Sequence, residues 1–280
     1  MLKLRHINTL ACLALASSLS LSANAANLIA IIASDTLDTK IGASVQADFD
    51  HMRQQMQKIA NYTGLNLQEI LIKEDATTPH VLLQKIKEIK ATKDDVIVFY
   101  YSGHGFRTQS KGDSPWPNLY FTQSGNKDSY GQFDGEGLKY ELVMFKLMEK
   151  NPRFLLTMAD VCNSFINESY APPMVNRAFF AAAPEAKIRE NYRHLFLDEA
   201  GMINLTSAKI GEYAWGGSRG GEFTNAFIDS LANETKFAQA ANWHTVIDNA
   251  TMTVVNNSSK NASTAPKKVQ HPYAEVNTKN

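Results

Sequence analysis

Apolar residues in this chain gather into short unbroken runs, separated by longer stretches with a helical period. Asn27 to Ala33, Leu67 to Ile72, Val96 to Tyr101, Arg153 to Met158 and Met202 to Ser207 are such runs. Four to eight residues with little polar alternation predict strands buried on both faces. Between them, Ser44 to Asn61 predicts a helix: Phe49, Met52, Met56 and Ile59 recur at helical spacing, and Gly64 follows its end. Thr77-Thr78-Pro79 opens a second helix with Leu82, Leu83, Ile86 and Ile89 on one face. Tyr140 to Lys150, Glu222 to Leu231 and Trp243 to Val254 predict three more. Val269 to Val276 predicts a last strand at a sheet edge, where Pro272 is tolerated.

Two stretches lack this order. Residues 106–138 are rich in Gly, Ser, Asp and Pro, with Leu119-Tyr120-Phe121 as a small strand, and read as a substrate-facing loop. Residues 163–200 show no clear period. Strand–helix alternation predicts an α/β fold: a three-layer sandwich with a mostly parallel six-stranded sheet and helices on both faces.

The amino terminus changes the compartment. Lys3 and Arg5 precede an apolar stretch from Leu10 to about Leu21, and Ala23-Asn24-Ala25 supplies a small-residue cleavage pattern. Residues 1–25 therefore read as a signal peptide and 26–280 as one domain, secreted or periplasmic after cleavage. No other stretch is apolar enough to span a membrane. Removing Lys3 and Arg5 from 28 basic residues leaves 26 against 28 acidic, about −2 in all, which points to no nucleic-acid partner. Of the two cysteines, Cys12 leaves with the leader, so the mature chain keeps one thiol and no internal disulfide.

That thiol, Cys162, follows one predicted buried strand, and His104 follows another within Ser102-Gly103-His104-Gly105. In a parallel α/β sheet the site lies at the carboxyl ends of the strands. A thiol and an imidazole there suggest covalent catalysis, with Cys162 as nucleophile and His104 as general acid and base. Main-chain N–H groups of Gly105 and Cys162 are candidates for an oxyanion hole. His51 and His80 fall in predicted helices, and His194, His244 and His271 lack the flanking glycines. No second His or Cys lies at ligand spacing, so no metal is assigned. No Gly-x-Ser-x-Gly elbow occurs, which argues against a serine triad.

Asp95-Val-Ile-Val-Phe-Tyr-Tyr-Ser-Gly-His-Gly105 resembles the histidine motif of caspase-like peptidases, metacaspases especially, and Asp160-Val161-Cys162-Asn163-Ser164 is similar to their cysteine motif. Leu205 to Lys209, Gly211 to Trp215 and Gly220 to Thr224 resemble the fifth-strand region of metacaspases and legumains, and Gln270-His271-Pro272 their closing strand. The likeness covers about residues 27–276. It implies a caspase-like fold and a cysteine endopeptidase acting on peptide or protein substrates. Metacaspases often have His-Ser-Gly after the cysteine, where this chain has Asn163-Ser164-Phe165.

The resemblance also implies that Asp160 lines a pocket for a basic P1 side chain, giving cleavage after Arg or Lys, since carboxylates pair with such groups. Asp35 and Asp38 could share that pocket, and Ser207 joins the substrate-binding set. The other reading of Asp160 is a cap on a turn. Two other functions fit the same residues: a catalytically inactive caspase-fold peptide-binding protein, and a legumain-type transpeptidase. No cofactor is implied. Calcium activation, common among metacaspases, stays open, with Asp113, Asp128 and Asp134 in a polar loop that lacks an EF-hand pattern. Arg177, Lys187, Arg189 and Arg193 stand where caspases are cut, which suggests self-processing.

Overall fold

The structure is a computed structural model that describes residues 26–121, 137–165, 184–262 and 269–279. Its central sheet uses β1 (Asn27–Ser34), β2 (Asn66–Ile72), β3 (Val96–Ser102), β7 (Phe154–Asp160), β8 (Ala200–Thr206) and β11 (Tyr273–Lys279). The strand order is β11-β8-β7-β3-β1-β2. All neighbours are parallel except β11, which runs antiparallel along β8. The three-layer, mostly parallel arrangement expected from the sequence is therefore present.

Alternation along each strand divides the core. Val96, Val98 and Tyr100 of β3 join one buried cluster, and Ile97, Phe99 and Tyr101 join the other. The first face is covered by α1 (Gly42–Thr63), α4 (Glu185–Arg193), α5 (Glu222–Phe237) and α6 (Trp243–Ala262). The second is covered by α2 (Pro79–Glu88) and α3 (Tyr140–Met148). Phe154 stacks on Trp243 at 5.6 Å between centroids, and each such fully buried aromatic contributes about 2–3 kcal/mol.

Most predicted elements are found within two or three residues of their expected ends. Thr78 caps α2 by accepting the Val81 N–H at 3.2 Å, with Pro79 in the first turn. Strand β7 runs two residues further than expected and ends on Asp160. The last strand starts after Pro272, so the proline never enters the sheet.

Helices α5 and α6 run on to Phe237 and Ala262, well past the expected ends at Leu231 and Val254, so α6 takes the start of the Asn256–Lys268 segment expected as a polar loop. A further stretch differs in kind. Within 163–200, expected to lack period, Glu185–Arg193 forms α4, continued by a wide helical turn over His194–Asp198. Tyr192, Leu195 and Phe196 are buried beneath it. Lys187, Arg189 and Arg193 lie on this helix, and Arg189 and Arg193 donate to Asn61 and Thr63 carbonyls at the end of α1. A protease cleft takes extended chain, so cleavage at any of these three positions would require this helix to open first. Arg177 lies outside the described residues.

A small antiparallel sheet joins β4 (His104–Phe106), β5 (Asn118–Tyr120) and β6 (Leu138–Lys139). A two-stranded hairpin, β9 (Gly216–Gly217) and β10 (Gly220–Gly221), leads into α5. Among the described residues, no helix is long and apolar enough to cross a membrane. The predicted signal peptide, residues 1–25, lies outside the described residues.

Candidate active site

Strands β3 and β7 pair with a constant offset, from Val96 with Phe154 to Ser102 with Asp160. The same offset recurs beyond the sheet, where Arg107 bridges Phe165. His104 and Cys162 stand at matching positions in that register. Main-chain bonds hold the two segments on either side: Gly103 N–H to the Asp160 carbonyl at 3.4 Å, and Arg107 N–H to the Ser164 carbonyl at 2.9 Å. Gly105 packs against the backbone of the cysteine segment. A Cβ there would meet the Cys162 carbonyl oxygen at 2.5 Å and Val161 Cβ at 2.6 Å, so only glycine allows this approach. The two proposed oxyanion donors thus belong to touching segments.

His104 is held by a third residue. Its Nε2 lies 3.1 Å from Asp38 Oδ2. Asp38 Oδ1 accepts the N–H groups of Lys40 at 2.7 Å and Ile41 at 2.8 Å. Burial works to raise the Asp38 carboxyl, but the bonds from His104 and the two N–H groups outweigh it and bring its pKa to about 2. An ionised carboxylate only accepts, so Nε2 carries the hydrogen and Nδ1 of a neutral imidazole is the basic nitrogen. The Tyr120 ring lies 6.2 Å from the imidazole across the β4–β5 pair.

Cys162 is half-buried. Its sulfur accepts the Ala214 N–H at 3.4 Å and lies 3.9 Å from the Ala214 carbonyl oxygen. Burial pushes the thiol up to about 11; the Ala214 N–H opposes this and the Asp160 charge adds to it. The loop carrying Ala214 is fixed by the closing segment. Gln270 Oε1 accepts the Trp215 N–H at 2.9 Å, Gln270 Nε2 donates to the Ser207 carbonyl at 2.9 Å, and His271 Nδ1 lies 2.8 Å from Glu212 Oε1.

Asp160 is buried at the end of β7, where its Oδ2 accepts from Thr224 N–H at 3.1 Å and Thr224 Oγ1 at 2.7 Å. A second carboxylate lies beside it. Asp48 of α1 accepts from Ser102 Oγ and from Gly221 N–H, each at 2.7 Å. Burial raises both carboxyls, and for Asp48 the charge of Asp160 adds to the rise. Among the described residues no lysine or arginine forms an ion pair with either one. The β9–β10 hairpin lies against the pair: a Cβ on Gly220 would come 2.2 Å from Asp48, and one on Gly221 2.1 Å from Asp160.

Sequence reasoning passed over Asp48. Its signal was a carboxylate on the buried stripe of α1, one turn from Val45 and Met52. The sequence associates Asp38 only with the substrate pocket; the structure pairs it with the histidine. Asp35 is wholly buried, and its N–H donates to the Ser102 carbonyl at 3.1 Å at the end of β3. Ser207 is also buried, its hydroxyl 2.9 Å from both the N–H and the carbonyl oxygen of Val161. It supports the chain entering Cys162. Of the acidic loop, Asp113 is described, while Asp128 and Asp134 lie outside the described residues. Among the described residues, no cluster of three His, Cys, Asp or Glu is placed to hold a metal ion.

The caspase-domain family matches residues 39–279, and the chain belongs to that family. Its fold is similar to that of a Geobacter sulfurreducens protein, at 16% identity and a TM-score of 0.50, over 90% of this chain and 93% of that one. It is likewise similar to caspase-1 from Spodoptera frugiperda, at 12% identity and a TM-score of 0.52, over 90% and 89%. At these identities the likeness establishes the fold. No curated protein matches the chain by sequence.

Proposed function

We propose that this protein is a cysteine endopeptidase, secreted or periplasmic, that cleaves after Arg or Lys. The observation that carries the reading is the Asp38–His104 pair set in register with Cys162. The Cys162 thiol gives its proton to His104 Nδ1 as the sulfur attacks the scissile carbonyl carbon. Gly105 and Cys162 N–H groups hold the oxyanion. Collapse breaks the C–N bond, and His104 returns the proton to the leaving amine. Water, deprotonated by the same imidazole, then hydrolyses the thioester and restores the thiol. Because burial keeps the thiol protonated at neutral pH, the proton moves during attack rather than beforehand.

Specificity rests on Asp160 with Asp48. Two buried carboxylates with no ion-paired Lys or Arg among the described residues are held at a cost. A P1 guanidinium or ammonium supplies the missing charge once the glycine hairpin moves aside. The test is hydrolysis of fluorogenic peptides with Arg, Lys, Asn or Asp at P1, with and without calcium, by mature protein and Cys162→Ala. Turnover after Arg or Lys, lost in the variant, is expected. Turnover after Asp alone would sink the pocket assignment. No turnover, with Cys162 inert to alkylation, would sink the peptidase.

A further inference from the structure

Paired sheet between β3 and β7 stops at Ser102 and Asp160, yet His104 and Cys162 lie two residues further on. Something beyond the sheet must keep them opposed. Arg107 is 1% exposed and reaches across from the histidine segment. Its Nη1 donates to Asn163 Oδ1 at 3.0 Å, and its Nη2 donates to the Gly112 and Ser114 carbonyls at 2.9 Å each. Asn163, the residue after the nucleophile, is also wholly buried. Its Nδ2 donates to the Pro115 carbonyl at 2.8 Å and the Ala208 carbonyl at 3.1 Å. Its own N–H donates to Glu212, and its carbonyl accepts from Gly211, at 2.9 Å each.

A buried guanidinium held by neutral oxygens is costly, since Glu141 and Asp113 act on it only through their fields. Its planar fork fits two carbonyls of the 112–114 turn and the amide oxygen of Asn163 at once, which a lysine cannot do. The bonds tie together the segments that carry His104, Cys162 and Ala214. We propose that Arg107 and Asn163 are positioning residues that hold Cys162 in register with His104 for proton transfer. This rests on the Cys–His reading above.

The test follows carbamidomethylation of Cys162 by iodoacetamide from pH 6 to 10, read by mass of the labelled peptide. It compares the wild type, Arg107→Lys, Asn163→Ala, His104→Ala and Arg107→Lys/His104→Ala, with folding checked by near-UV circular dichroism. Mispositioning slows labelling about tenfold near pH 7, with the gap narrowing towards pH 10 as the fraction of thiol ionised without the imidazole rises. No further slowing is expected in the His104→Ala background. A merely loosened loop would expose the thiol and speed labelling at every pH. Unchanged or faster labelling of Arg107→Lys at pH 7, with His104→Ala slow, overturns the proposal alone. Normal labelling of His104→Ala overturns the Cys–His reading and the proposal with it. If Asn163→Ala does not fold, Arg107→Lys decides; if neither folds, Asn163→Asp, which keeps the acceptor but loses both donors, takes their place.

Discussion

Two residues at the site are held on opposite sides of their ordinary titration, and each makes a prediction. Burial keeps Cys162 a thiol up to about pH 11. Its labelling by iodoacetamide in the wild type is expected to climb steadily from neutral pH; a plateau near pH 7 would indicate a preformed thiolate and refute this. Asp38 sits at about 2 because His104 and two N–H groups outweigh its burial. Asp38→Ala leaves the imidazole free to turn and lets either nitrogen carry the hydrogen. A fall in kcat of about 10- to 100-fold with little change in KM is expected from steady-state kinetics. Asp38→Asn keeps the two N–H bonds through its amide oxygen, so it separates loss of charge from loss of the turn.

Helix α5 and the hairpin before it depend on the acid pair. Gly221 and Thr224 place their N–H groups on Asp48 and Asp160, so two carboxylates satisfy donors at the start of α5, where the helix dipole favours negative charge. These contacts cap the helix, and in the function proposed above the same carboxylates form the floor of the P1 pocket. Gly221→Ala tests the geometry, because its Cβ would meet Asp160 Oδ2 at 2.1 Å. The hairpin must shift, at a cost of about 1–3 kcal/mol. The expected outcome is a lower thermal midpoint and loss of cleavage after Arg, while Cys162 still reacts with iodoacetamide. Unaltered cleavage after Arg would show that the hairpin does not border the P1 pocket.

For the whole molecule these groups set the pH range of stability. Asp38 and Asp95 are depressed in the fold, so their contribution is present above about pH 4 and lost as pH falls below it, for Asp38 towards about 2. Asp48 and Asp160 are raised, so their contribution is complete below the ordinary carboxylate range and declines as pH rises through it. The thermal midpoint is therefore expected to peak in mildly acidic solution, at about pH 4–6. Asp48→Asn should raise the midpoint at pH 8 and flatten the decline above the peak, while lowering kcat/KM for Arg substrates by about 100-fold or more. A wild-type midpoint that rises steadily from pH 5 to 8 would contradict this assignment.

The apolar runs determined the sheet by themselves. Strands such as Val96–Ser102, buried on both faces, leave the chain no other place to put six consecutive large side chains. Period and caps then located α1 and α2, and a thiol and an imidazole at two strand ends marked the chemistry. Helix α4 was missed because Ile188 and Tyr192 are nearly alone among charged residues, and its apolar stripe continues only in the turn at Leu195 and Phe196. What only the tertiary structure decided is which acids act together. Asp38, Asp48 and Asp160 come from a loop, a helix and a strand, and no local pattern states that the first meets His104 while the other two lie together. The same holds for Arg107 and Asn163. Strand order and register, set by packing across the whole sheet, fix those meetings, and sequence spacing does not encode them.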